Sequence, residues 1–201
     1  SLTLTLTIQD LTNDLFLDFN EVKSHLKSVN VNRKKTDINH QKEHIIVSKK
    51  DLVLGENTIV ISFNAGELSL NRNEDFLYTL LVPDRASTLF PCFDQPDIKA
   101  NYQLTITAPK EWKVLCGAFE ESAVDTGNFT KHIFKKTDKM STYLFSFVAG
   151  NFTSITKNPG AFDMRFLYRE NNQEKIAESV DEIFSTHQKS IDFLEEYTQV
   201  K

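Results

Sequence analysis

Residues 2–8 alternate without a break. Leu2, Leu4, Leu6 and Ile8 are separated by Thr3, Thr5 and Thr7, a period of two that puts every aliphatic side chain on one face of an extended strand. A helix would scatter the same residues around its axis. Shorter runs of the same kind fall at 15–19, 29–32, 44–48, 58–63, 76–82, 102–108, 112–116, 131–134, 142–149 and 164–168, and their spacing predicts an antiparallel β-sandwich. After Asn171 the period changes. Ile176, Val180, Ile183, Phe184, His187, Ile191 and Leu194 follow one another at helical steps, the stripe of one C-terminal amphipathic helix. No second helix follows to cover that stripe, and "YRENNQEK" at 168–175 is polar enough to be a domain junction.

A chain of 201 residues with 16 Phe but only 6 Gly and 5 Pro has material for a sizeable core and favours strands over a loop-rich scaffold. Its formal net charge of -5 argues against nucleic acid as a partner. The one basic run, Arg33-Lys34-Lys35, reads as a solvated turn. The longest dense apolar stretch, 143–150, is too short to span a bilayer, so no membrane span is expected. The opening "SLTLTLTIQD" has no signal-peptide character and reads as a chain that starts partway into a domain. Cys92 and Cys116 allow at most one disulfide, leave the compartment undecided and are expected to be free thiols. Two N-x-T sequons, at Asn128 and Asn151, are equally well read as strand-edge polar residues.

"HQKEH" at 40–44 has the H-x-x-E-H order of an inverted zinc-peptidase motif, in which two imidazoles hold the metal and a carboxylate acts as base. That chemistry needs a helix, which brings residues four apart onto one face. Here Thr36, Asp37 and Asn39 precede the motif and Ile45, Ile46 and Val47 follow it, a polar turn feeding a β-branched strand. In one continuous strand the two imidazoles would share a face about 13 Å apart, too far for one ion. The expectation is no zinc here.

The stretch 76–102, "FLYTLLVPDRASTLFPCFDQPDIKANY", carries Pro91 and Pro96 around an aromatic segment. Asp94 is placed to accept backbone N–H groups and fix a turn, with Lys99 as an ion partner for Asp94 or Asp97. No base or nucleophile is paired with these residues. "TLFPCFDQPDIKANY" also resembles the signature of the N-terminal domain of the aminopeptidase N family of zinc metallopeptidases, F-P-C-F-D-E-P followed by K-A. "FLYT" at 76–79, "VPD" at 82–84, "APKEWKVLCGA" at 108–118 and "TDKMSTYLFSFVAGNF" at 137–152 are similar to flanking family segments in the same order, and the final helix resembles the one that opens the family's catalytic domain.

The resemblance implies a saddle-shaped sandwich over 1–170, followed at 171–201 by the junction and first helix of a catalytic domain that is itself missing. That domain would be the partner of this chain, with a peptide as substrate. The family's chemistry resides downstream, in G-A-M-E-N, which holds the substrate amine, and in H-E-x-x-H with a later Glu, which bind zinc. Neither occurs in these residues, so the resemblance implies no catalytic residue, metal ligand or cofactor in this chain, and zinc in the missing domain. It also implies a substrate-facing position, usually Gln or Glu, fourteen residues before Asp94. That position is Leu80, next to Thr79, and both are carried forward as candidate wall residues of the cleft. Ser87 stands where the family usually has Arg, and Arg85 lies two positions earlier. Three readings follow: the N-terminal domain of a zinc aminopeptidase, a scaffold or protein-binding relative of the same fold without zinc activity, or an unrelated carbohydrate- or protein-binding sandwich.

Overall fold

The computed structural model describes residues 1–160 and 163–200. The first half of the chain forms β1 (Leu2–Ile8), β2 (Leu15–Asp18), β3 (Leu26–Val31), β4 (Lys34–Thr36), β5 (His40–Gln41), β6 (His44–Val47), β7 (Gly55–Phe63), β8 (Leu70–Arg72) and β9 (Phe76–Thr79). The second half forms β10 (Lys99–Ala100), β11 (Thr105–Pro109), β12 (Lys113–Cys116), β13 (Glu120–Asp125), β14 (Phe129–Phe134), β15 (Met140–Ser141), β16 (Phe147–Gly150), β17 (Thr153–Lys157), β18 (Met164–Tyr168) and the helix α1 (Gln173–Thr198). All ladders between these strands are antiparallel. The fold class read from the sequence, all-β with one C-terminal helix, is the one observed. The chain divides into two compact units, Ser1–Gly150 and Asn151–Lys201.

In the first unit, alternation becomes a core. β1 pairs with β7 from Leu2↔Ile61 to Ile8↔Gly55, within a sheet of order β1-β7-β3-β4. The inward residues of this sheet pack with those of β2-β6-β5, burying Leu17, Phe19, Val29, Val31, Ile45, Ile59 and Ile61. Each such side chain contributes roughly 1.5–3 kcal/mol when fully removed from water. Asn57, 1% exposed, is a polar residue in this layer. Its Oδ1 accepts from Val53 N and Asn32 Nδ2, both at 2.9 Å, and its Nδ2 donates to the carbonyls of Val53 and Gly55. A buried amide with every group partnered avoids the penalty of an unmade bond.

A second pair of sheets, β12-β16-β9-β8 and β11-β14-β13, encloses Ala108, Val114, Phe134 and Ala149. Between the two layered regions lies a smaller cluster of Leu81, Ala86, Leu89, Cys92 and Phe145.

Two short loops explain local departures from the sequence reading. Lys42 and Glu43 both have positive φ, 49° and 68°, the two-residue turn whose twist matches a tight hairpin. "HQKEH" is therefore a hairpin, β5-turn-β6, not one strand. His40 pairs with Ile45 and Gln41 with His44, so the two imidazoles sit on opposite faces, which corrects the expectation of a shared face. Asn32 and Arg33 make the same kind of turn, at φ 50° and 70°, and Lys34 and Lys35 open β4 behind it. The strand expected over 142–149 is divided: Thr142–Leu144 is a 3-10 turn, and only Phe147–Gly150 is extended.

The second unit corrects the reading of the helix. Ile176, Val180 and Phe184 are buried against Ile155, Met164, Phe166 and Tyr168 of the β17-β18 hairpin. That hairpin, rather than a surface absent from the chain, covers the first half of the stripe. The compact unit accordingly starts at Asn151, ahead of the polar junction read at 168–175. Asn172 caps the helix, its Oδ1 accepting from Glu174 N at 3.0 Å and Lys175 N at 3.1 Å. Lys157 pairs with Asp181 and lies over the Phe184 ring. Beyond Phe184, Ile191 is half-buried, and Phe193, Leu194 and Tyr197 are exposed, with the Phe193 ring stacked on Tyr197. Phe184→Ala should cost the hairpin–helix packing about 3–5 kcal/mol. Hydrogen exchange is expected to show faster exchange across α1 and no change in β7; equal effects in both would mean that the units unfold together.

Candidate functional site

The segment 76–100 holds the candidate residues, and one carboxylate fixes most of it. Asp18, at the end of β2, exchanges two backbone hydrogen bonds with Cys92, Asp18 N to Cys92 O at 2.8 Å and Cys92 N to Asp18 O at 3.0 Å. Its Oδ2 accepts from Asp94 N at 2.9 Å and Gln95 Nε2 at 3.0 Å. Oδ1 lies 3.1 Å from His44 Nδ1, without hydrogen-bond alignment. The "FDQP" turn is thus held by a residue 76 positions away in sequence.

Asp94 plays the turn-fixing part read from the sequence. Its Oδ2 accepts from Ser87 N at 2.8 Å, tying the loop to the buried 3-10 turn Ala86–Thr88. Lys99 takes no part in this; it opens β10 opposite Ser141. Asp94 Oδ1 is buried with no hydrogen-bond partner among the described residues. Ser69 Oγ and Thr88 Oγ1 lie 2.7 Å apart, and both reach the Arg85 carbonyl, at 3.0 and 2.8 Å. Gly66 passes so close to this turn that an added Cβ would fall 2.0 Å from Thr88 O. Cys92 and Cys116 are free thiols. Burial, and then the nearby Asp94 and Asp18 carboxylates, push the Cys92 thiol well above its ordinary range, so it stays protonated and unreactive.

Leu80 and Thr79 part company. β9 ends at Thr79, yet the alternation of exposure continues beyond it: Thr79 is 7% and Leu81 2% exposed, whereas Tyr78, Leu80 and Val82 are 41%, 51% and 52% exposed. Leu80 N donates to Ser69 O at 2.9 Å, which holds the extended path past the strand end. Thr79 faces inward, and its hydroxyl accepts from Phe147 N at 3.1 Å. Its place is in the packing between β9 and β16. Leu80 faces outward beside Tyr78, in the company of side chains that only the sheet brings together. Tyr78 pairs with Val148 and Val148 with Leu115, so all three share one face, and Phe76 stacks on Tyr78 at 6.2 Å between ring centroids. Sequence reasoning missed Val148 and Leu115, because they lie dozens of residues from Tyr78 and from each other and no local pattern links them.

Among the described residues no three His, Cys, Asp or Glu side chains come together to hold a metal. No helix of the described residues is long and apolar enough to cross a membrane.

Asp18→Ala should loosen the signature loop. Leaving the Asp94 N–H without its acceptor costs about 1–3 kcal/mol, read as a lower urea midpoint and faster exchange of the Asp94 amide. Asp18→Asn keeps an oxygen acceptor and is expected to lose less; equal losses would show that packing, not the hydrogen bonds, holds the loop.

Comparison with known proteins agrees with this geometry. Residues 1–144 match the model of the peptidase M1 N-terminal domain. Glutamyl aminopeptidase of Mus musculus is 35% identical over 116 residues, which is 57% of this chain and 12% of the mouse protein. Probable M1 family aminopeptidase 2 of Encephalitozoon cuniculi is 40% identical over 75 residues, 36% of this chain and 9% of that protein. Aminopeptidase N of Oryctolagus cuniculus is 33% identical over 84 residues, 40% and 9% of the two chains. The matched stretch is thus about an eighth or less of each relative. With the match covering well over half of its length, this chain belongs to the peptidase M1 N-terminal domain family.

Proposed function

We propose that this chain is the N-terminal, non-catalytic domain of a zinc aminopeptidase that removes single residues from the N-termini of peptides, and that its exposed Leu80 belongs to one wall of the substrate cleft. The observation that carries the reading is the family match across residues 1–144. The outward setting of Leu80, 51% exposed, is compatible with the second part, since it leaves the side chain free to meet a group outside the sheet. Zinc and the groups that activate water then belong to a catalytic domain outside these residues, which is also the partner of this chain. Thr79, buried and bonded to β16, supports Leu80 from behind.

A scaffold relative without zinc activity is the second reading. Leu80 and Ser87 favour it, because both replace polar or charged residues of the family pattern with groups that cannot form the same contacts.

The full-length protein separates the two. It is expected to hold stoichiometric zinc and to hydrolyse aminoacyl reporters, with activity lost to a chelator and restored by added zinc, while the 201-residue chain alone is inert. A full-length protein that binds no zinc and cleaves no reporter selects the scaffold. For the cleft wall, Leu80→Gln restores a polar acceptor. A hydrogen bond to a charged group is worth about 1.5–3 kcal/mol, so KM for reporters with small first residues should fall roughly tenfold or more. Unchanged kinetics in a folded variant would remove Leu80 from the cleft.

A further inference from the structure

β1 is an edge strand. In the sheet β1-β7-β3-β4 it pairs with β7 through all seven of its residues without a bulge, and no other described strand lies on its far side. Such an edge leaves a row of backbone N–H and C=O groups able to bind a further strand, and folded chains ordinarily guard it with a charge, a proline or a bulge. The other edges follow that rule. β4, at the far side of the same sheet, carries Lys34 and Lys35; β13 carries Glu120, Glu121 and Asp125 and a bulge; β11 ends on Pro109. Among the described residues, β1 is the one edge strand longer than two residues that has no charge, proline or bulge. Its aliphatic side chains are half-buried and its threonines exposed, and Leu4 and Leu6 pack against the core of the first unit.

We infer that the open edge of β1 is a strand-addition surface whose partner is β1 of a second copy of this chain, the two strands running antiparallel about a twofold axis through Thr5. The strand is its own complement in that register. Leu2 faces the partner's Ile8, Leu4 the partner's Leu6, Thr3 the partner's Thr7 and Thr5 the partner's Thr5. Paired residues share a face of an antiparallel ladder, so the aliphatic row of one copy continues that of the other, and threonines meet on the exposed face where they can hydrogen-bond. A slip of one residue puts the two aliphatic rows on opposite faces. A slip of two restores the faces but leaves residues unpaired, so the axis at Thr5 is the register that uses the whole strand. No charge on β1 selects a charged partner or repels a second copy. One strand pair is smaller than a standard interface of about 1,200–2,000 Å², so the dimer is isologous, reversible and concentration-dependent.

The test is the oligomeric state of the full-length protein, measured by sedimentation over a series of concentrations. A dimer is expected whose Kd rises roughly tenfold or more in Thr5→Lys and in Thr5→Glu, since like charges then meet on the axis, and which returns when the two variants are mixed. The register has its own check. Thr3→Lys with Thr7→Glu in one chain should keep the dimer, because each new cation faces the partner's new carboxylate, whereas Thr3→Lys with Thr7→Lys should break it. All three positions are exposed, and circular dichroism checks the fold of each variant. A monomer throughout the series overturns the proposal, and if its β1 amides all resist exchange, some other strand holds the edge. A dimer that none of these variants weakens, or a mixture of Thr5→Lys and Thr5→Glu that stays monomeric, overturns it as well. Reporter cleavage is not read, so the outcome is independent of the aminopeptidase proposal.

Discussion

Asp18 is the point on which the candidate site depends. Two backbone bonds to Cys92 and two side-chain bonds to the residues after it pin the "FDQP" turn to the end of β2. Without that anchor, the segment between β9 and β10 has few strand hydrogen bonds of its own, since it contains only the short 3-10 turn at Ala86–Thr88. Its buried residues, Leu81, Ala86, Leu89 and Cys92, would not be brought to one cluster. The carboxylate works because it is removed from bulk water: its side chain is 16% exposed, and a bond from an amide to a charged acceptor is stronger there than in solvent.

From that anchor the exposed row on β9 follows. Leu81 is drawn inward with the cluster, and strand geometry then turns its neighbours Leu80 and Val82 outward, although the strand has ended. The Leu80 amide bond to Ser69 O keeps the path extended. The hydroxyls of Ser69 and Thr88 and the close passage of Gly66 hold the loops on either side. An apolar surface results that is rigid at its base and open above, the arrangement expected of a wall against which something else is seated.

Much of the fold was legible. The unbroken alternation of 2–8 became β1, and 164–168 became β18 with the same limits. Where reading failed, the reasons are physical. β13, "EESAVD", is exposed along its whole length and has no apolar period to read; it exists because β14 offers it a hydrogen-bonding edge. Leu80 to Val82 carry strand-like alternation but have no ladder partner, so the period of a strand runs on past the end of its hydrogen bonding. The position of the turn inside "HQKEH" was missed because Lys42 and Glu43, rather than Gly or Asn, take its positive φ angles. At the candidate site, Leu80 was carried forward through family resemblance and strand alternation links it to Tyr78, whereas Val148 and Leu115 had no sequence signal.

The sequence by itself determined the strand periods, the amphipathic period of the helix, the family signature and the turn-fixing part of Asp94, because each depends on spacing along a few residues. Tertiary structure alone decided that Asp18 holds the signature loop, that the β17-β18 hairpin covers Ile176, Val180 and Phe184, and that His40 and His44 face away from each other. It also decided that Thr79 is packing while Leu80 is surface. These outcomes depend on which strands pair and in what register, and a shift of one residue in register reverses the face of every side chain in a strand. Local spacing carries the period of a strand; only its neighbours in the sheet settle which face is inside.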